Sequence, residues 1–146
     1  MLYFAYGSNM HWGQMQQRCA SARFVGVARL PEHRLAITRK SRRRLCGTAG
    51  VVPETGSEVW GILYDIDNGD LTLLDDFEDG YRREKLAVRL AAVERSVEAW
   101  IYIAEKEACP PLPNALYKRL MLEGAKHWGL PKTYLAYLEA IEAADD

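Results

Sequence analysis

Cysteine is scarce in this sequence. Cys19, Cys46 and Cys109 are an odd number, widely spaced, and form no C-x-x-C pair. This excludes a disulfide framework and a zinc site, and the plain reading is of small hydrophobes. Histidine is equally sparse: His11, His33 and His127 are not spaced to pair with a thiol, as a nucleophile and its base would require. No apolar run approaches the ~20 residues that cross a bilayer. The segment Met1–Tyr6 has neither a basic start nor an apolar stretch followed by a cleavage site. Net charge is nearly absent, at −1 from 19 basic and 20 acidic residues, so nothing overall draws the chain to nucleic acid or an anionic membrane. The expectation is a cytoplasmic protein without a metal site, a nucleic-acid partner or a membrane partner.

What remains is the composition of a globular protein. Of 146 residues, 49% are hydrophobic and 27% charged, and a chain of this length buries roughly 70% of its unfolded surface. We read it as a single domain over 1–146.

Leu2–Tyr6 is a short apolar-aromatic run that reads as a strand entering a turn at Gly7-Ser8-Asn9. Met10–Arg18 then reads as a short helix capped by Ser8 or Asn9. Phe24–Leu30 and His33–Thr38 read as two strands broken by Pro31, followed by strands at Gly47–Val52 and Val59–Ile66. Asp70–Glu78 is helical and ends before Gly80. Lys85–Val93 and Ser96–Ala104 read as a hairpin about Glu94-Arg95. After Pro110, Pro111 and Pro113, a helix over Asn114–His127 ends at Gly129, and Pro131 opens the first turn of another. In that last helix Tyr134, Tyr137, Leu138 and Ile141 share a face. Strands in a run followed by two closing helices indicate α+β rather than a doubly wound sheet.

Two places carry chemistry. A strand ending in Gly-Ser-Asn at a helix start aims several backbone N–H groups one way, and Gly7 permits close approach. Such a turn suits a carboxylate, a phosphate or a developing oxyanion; it is equally an ordinary helix cap. The sequence GSNM lacks the second glycine and the lysine of a P-loop. The second place is the acid-rich helix. At ~100° per residue Leu71, Leu73, Leu74 and Phe77 gather on one side, with Glu78 at the edge of that stripe. Asp76 and Asp79 face the other way and Asp75 is intermediate. Glu78 reads either as a carboxyl desolvated into a proton shuttle or as a residue at the core boundary. The remaining acids read as a solvated face, since adjacent aspartates diverge and no histidine accompanies them.

These segments together resemble the γ-glutamylcyclotransferase-like family. The resemblance runs through Tyr3–Met10, Glu58–Tyr64, Leu74–Glu78, Pro113–Lys118, Gly124–Lys126 and Gly129–Tyr134, in order along nearly the whole chain. It implies a mixed β-barrel-like sheet with flanking helices, and the loop Tyr6-Gly7-Ser8-Asn9 at a cavity mouth. It also implies substrate held by that loop's amides, Glu78 as catalytic acid/base, and no cofactor. Tyr81 and Tyr117 match positions where the family brings aromatic rings to the cavity. The implied reaction converts a γ-glutamyl amino acid or γ-glutamyl amine, isopeptide-type compounds such as γ-glutamyl-lysine included, to 5-oxoproline and the free amine. A non-catalytic binder of such small molecules is the alternative, and a homodimer is left open. This chain departs from the family where Asp79 intervenes before Gly80, in place of a glycine directly after the glutamate. The stretch to the next tyrosine is also shorter, which bears on substrate choice.

The basic run Arg39-Lys40-Ser41-Arg42-Arg43-Arg44 has no interleaved aromatic residue, and the rest of the chain cancels its charge. It reads as a solvated loop, with attraction of an anionic substrate tail as the other reading.

Overall fold

The computed structural model describes residues 1–144. The chain runs β1 (Leu2–Ala5), a 3₁₀ turn (Ser8–Met10), α1 (Trp12–Arg18), β2 (Arg23–Lys40) and β3 (Gly47–Asp65). It continues through α2 (Asn68–Phe77), β4 (Arg82–Leu90), β5 (Arg95–Ile103), α3 (Ala115–Trp128) and α4 (Lys132–Glu139). The strands close into a barrel in the order β1-β3-β2-β4-β5. Every pairing is antiparallel except the one that closes it, β1 with β5 through Tyr3 and Trp100. The expected α+β fold with a barrel-like sheet and flanking helices is what forms. No helix among the described residues is long and apolar enough to cross a membrane.

β1 lies between two neighbours, so Tyr3, Phe4 and Ala5 are buried. This explains why the run is apolar without alternation. At its end the chain must leave the barrel, and Gly7 starts the 3₁₀ turn through Met10 N–H to Gly7 O (3.1 Å) and His11 N–H to Ser8 O (3.0 Å). Helix α1 therefore begins later than expected. Its cap is His11, whose Nδ1 accepts from Gln14 N, and not Ser8 or Asn9.

Pro31 does not break the sheet. It sits inside a continuous β2, opposite Glu58, and the next matched pair is His33 with Pro53. Glu32 and residues 54–57 bulge out there, with positive φ at Glu32 (61°) and Gly56 (84°). A bulge is the position in a ladder that tolerates a missing N–H. The expected strand pairs on either side of Pro31 and of residues 53–58 thus merge into two long strands.

Helix α2 spans Asn68–Phe77 with Glu78 as its C-terminal cap. Leu71 and Leu74 are buried, but Leu73 is 51% exposed, so the apolar stripe is narrower than the wheel gave. α3 lies one residue later than expected at each end: Asn114 is its cap, accepting from Tyr117 N, and Gly129 ends it in the left-handed conformation (φ 77°). Pro131 is the cap of α4 and lies one place before its first turn. α4 buries Tyr134 and Leu138 but stops before Ile141, and Tyr137 is half exposed. α3 packs directly on the 3₁₀ turn. A Cβ at Gly124 would strike the carbonyl of Met10 and the amide of His11.

Candidate active site

The end of β1 opens into a cavity. Tyr6, Gly7, Ser8, Asn9, Glu78, Tyr81 and Tyr117, all singled out in the sequence, line this one space.

The loop after β1 is fixed by its carbonyls. Those of Gly7 and Ser8 close the 3₁₀ turn, Tyr64 Oη donates to Asn9 O (2.9 Å), and Trp128 Nε1 donates to Met10 O (3.0 Å). Among the described residues, the amides of Gly7, Ser8 and Asn9 donate to no other backbone group. Amides without a backbone acceptor are what an anion-binding turn requires. Gly7 is required by closeness: a Cβ there would stand 2.9 Å from Tyr117 Oη. Ser8 Oγ accepts from Gln14 Nε2 (2.8 Å), and Asn9 Oδ1 accepts from Gln14 Nε2 (2.9 Å) and Arg18 Nη1 (3.2 Å). With its oxygen so occupied, Asn9 turns its Nδ2 toward Tyr3 Oη (3.0 Å) and Glu78 Oε1 (3.4 Å).

Glu78 projects from the end of α2 to the cavity, beneath Tyr3 and Asn9. The residue is half-buried. Burial pushes its pKa up to about 7, against the pull of Arg18 and Arg44; Asp75 adds to the rise. Near neutrality such a group both takes and returns a proton.

The phenols around it serve otherwise. Tyr6 Oη donates to Tyr102 O (2.6 Å). Tyr81 Oη donates to Ala49 O (2.7 Å), and Tyr117 Oη accepts from Ala49 N (3.0 Å). The two rings thus brace one residue of β3 against the cavity. Burial raises the pKa of all three, so they stay protonated and neutral.

Residue patterns in the sequence did not single out Arg18, Thr48 or Phe77 on the same wall, nor Arg43 and Arg44 as wall residues. The basic run is only in part a solvated loop. Arg42 is exposed, while Arg43 and Arg44 reach the cavity and Arg39 donates to Gly80 O (3.1 Å). An aromatic partner was the missing signal, and it is distant in sequence: Arg43 lies over Phe77 and Arg44 over Tyr117.

A barrel with a carboxyl of raised pKa at a polar cavity, facing a turn with free amides, defines a class of site suited to acid–base chemistry on a small molecule. The chain belongs to the family described as gamma-glutamyl cyclotransferase, AIG2-like, which matches residues 3–124. It is 33% identical to gamma-glutamylcyclotransferase of Homo sapiens over 99% of this chain and 80% of that protein. With the Mus musculus gamma-glutamylcyclotransferase the identity is 32%, over 97% and 78%. A solved gamma-glutamyl cyclotransferase structure superposes with a TM-score of 0.91 at 31% identity, covering all of this chain and 90% of that one.

Proposed function

We propose that this protein is a γ-glutamyl cyclotransferase, converting a γ-glutamyl compound to 5-oxoproline and a free amine. The α-amine of the glutamyl group attacks its own γ-carbonyl carbon. A new C–N bond forms, the carbonyl becomes a tetrahedral oxyanion, and the original amide C–N bond then breaks. Because the attack is intramolecular, holding the glutamyl chain bent supplies much of the rate; oriented attack is worth roughly 7–11 kcal/mol of barrier.

The observation that carries this reading is Glu78, with its pKa near 7, beside the Gly7–Asn9 turn. The amine arrives as an ammonium and must lose a proton to attack. Glu78 takes that proton as a base and gives it to the departing nitrogen as an acid, so one carboxyl serves both steps. The amides of Gly7, Ser8 and Asn9 hold a substrate carboxylate or the oxyanion. Tyr6, Tyr81 and Tyr117, neutral and braced, shape the space in which the glutamyl chain bends.

The test is release of 5-oxoproline and free amine in equal amounts from a panel of γ-glutamyl dipeptides, glutathione and γ-glutamyl amines. Turnover of at least one compound, lost in a folded Glu78→Gln variant, is the expected result. Tight binding of 5-oxoproline with no turnover of any compound would establish a binding protein instead.

A further inference from the structure

Most arginines elsewhere lie within 4.0 Å of a carboxylate, Arg29, Arg34, Arg83 and Arg89 among them, whereas Arg18, Arg39 and Arg95 form no ion pair among the described residues. Arg43 and Arg44, on the cavity wall, have none among the described residues. Arg44 Nη2 donates to neutral acceptors, Gln14 Oε1 (2.7 Å) and Ser8 Oγ (3.3 Å). Arg43 Nη2 donates to the backbone carbonyl of Asp76 (3.2 Å). A guanidinium has five N–H donors, so each keeps several unused. Each is also positioned by a ring of the same wall, Arg43 at 4.9 Å from the Phe77 centroid and Arg44 at 5.2 Å from that of Tyr117. The other acid beside them, Asp79, faces Arg42 at 4.0 Å. Two placed cations thus face the cavity without an ion pair among the described residues, Arg44 acting on Glu78 only as a more distant charge.

Their position relative to Glu78 indicates which part of a substrate they meet. With the glutamyl group at Glu78 and the Gly7–Asn9 turn, the amine to be released extends toward the mouth. Arg43 is exposed there, and Arg44 is half buried just inside. Resting on the cyclotransferase reading, we propose that Arg43 and Arg44 recognise the departing amine, and that the preferred substrates release an amino acid bearing two carboxylates. Arg44, just inside, takes the α-carboxylate beside the scissile amide, and Arg43, at the mouth, takes the side-chain carboxylate, each through charge-assisted hydrogen bonds. Arg18, deeper in the wall, is the strongest cationic influence on Glu78 and stays with it.

The experiment compares γ-glutamyl-glutamate with γ-glutamyl-glutamine, which differ by one charge at nearly equal shape, and adds γ-glutamyl-alanine as a reference. The kcat/KM for the glutamate conjugate is expected to exceed that for the glutamine conjugate by at least about tenfold, the scale of one hydrogen bond to a charged group. In Arg43→Gln this ratio falls toward one, Arg44→Gln lowers both conjugates alike, and rising salt lowers the ratio in the wild type. A ratio near one in the wild type, or an Arg43→Gln variant that keeps the wild-type ratio, overturns the proposal. Arg43 is exposed, so its variant gives an answer even where Arg44→Gln fails to fold. Absence of 5-oxoproline from all three conjugates and from the wider panel removes the cyclotransferase reading and this inference together. Turnover of all three without preference removes the inference alone.

Discussion

Asn9 Nδ2 stands 3.4 Å from Glu78 Oε1, tying the turn after β1 to the end of α2 across 69 positions of sequence. The same side chain accepts from Gln14 and Arg18. It therefore orients the carboxyl and holds the turn in one arrangement. Asn9→Ala breaks all of these contacts, and kcat/KM for 5-oxoproline release is expected to fall by roughly 10²-fold, within the range for removing one positioned donor. Steady-state kinetics, with circular dichroism to confirm folding, checks this.

Arg18 is the largest of the influences that lower the Glu78 pKa. Removing that charge leaves burial less opposed. Arg18→Gln is expected to move the acidic limb of the kcat/KM profile upward by about one pH unit. A limb that stays in place would show that the two groups do not communicate.

Glu78 also couples stability to pH. Its folded pKa, about 7, lies above the ordinary value of 4.5, so the folded state holds the proton more tightly than the unfolded one. That contribution is fully present below pH 4.5 and is lost as pH rises through 7. Glu78→Gln removes the dependence. Relative to wild type, the variant is expected to gain about 2–3 kcal/mol between pH 4 and pH 8.5. Urea unfolding at the two pH values measures it.

Two glycines separate packing from helix propensity. Gly124→Ala places a methyl against the Met10 carbonyl and is expected to cost about 1–3 kcal/mol while displacing the turn. At Gly69, in the first turn of α2, nothing lies within 4 Å of an added Cβ. Gly69→Ala is expected to stabilise by about 0.5 kcal/mol. Paired denaturation curves distinguish the two.

The extent to which the sequence was legible followed the range of the interactions. Helix α3 was readable because Asn114 and Gly129 set its ends locally. The β1 run and its glycine turn were readable for the same reason. Pro31 misled because a strand with a bulge absorbs a missing N–H, and the bulge is fixed by residues 54–57 of the partner strand. Leu73 misled because periodicity gives a face but not which neighbour covers it. For the site, the wheel placed Glu78 at an edge and family resemblance selected the same residue. Neither could show that Asn9 reaches it or that Arg18, Arg43 and Arg44 enter the wall, because those meetings depend on barrel closure.

The most direct test of the account is the pH dependence of kcat/KM for 5-oxoproline release from pH 5 to 9, in wild type and Glu78→Gln. The wild-type rate is expected to rise through an apparent pKa near 7, since only the ionised carboxylate can take the proton. The variant is expected to be at least roughly 10²-fold slower and to lack that limb. A folded Glu78→Gln protein with full activity, or one that keeps the wild-type limb, would contradict the account.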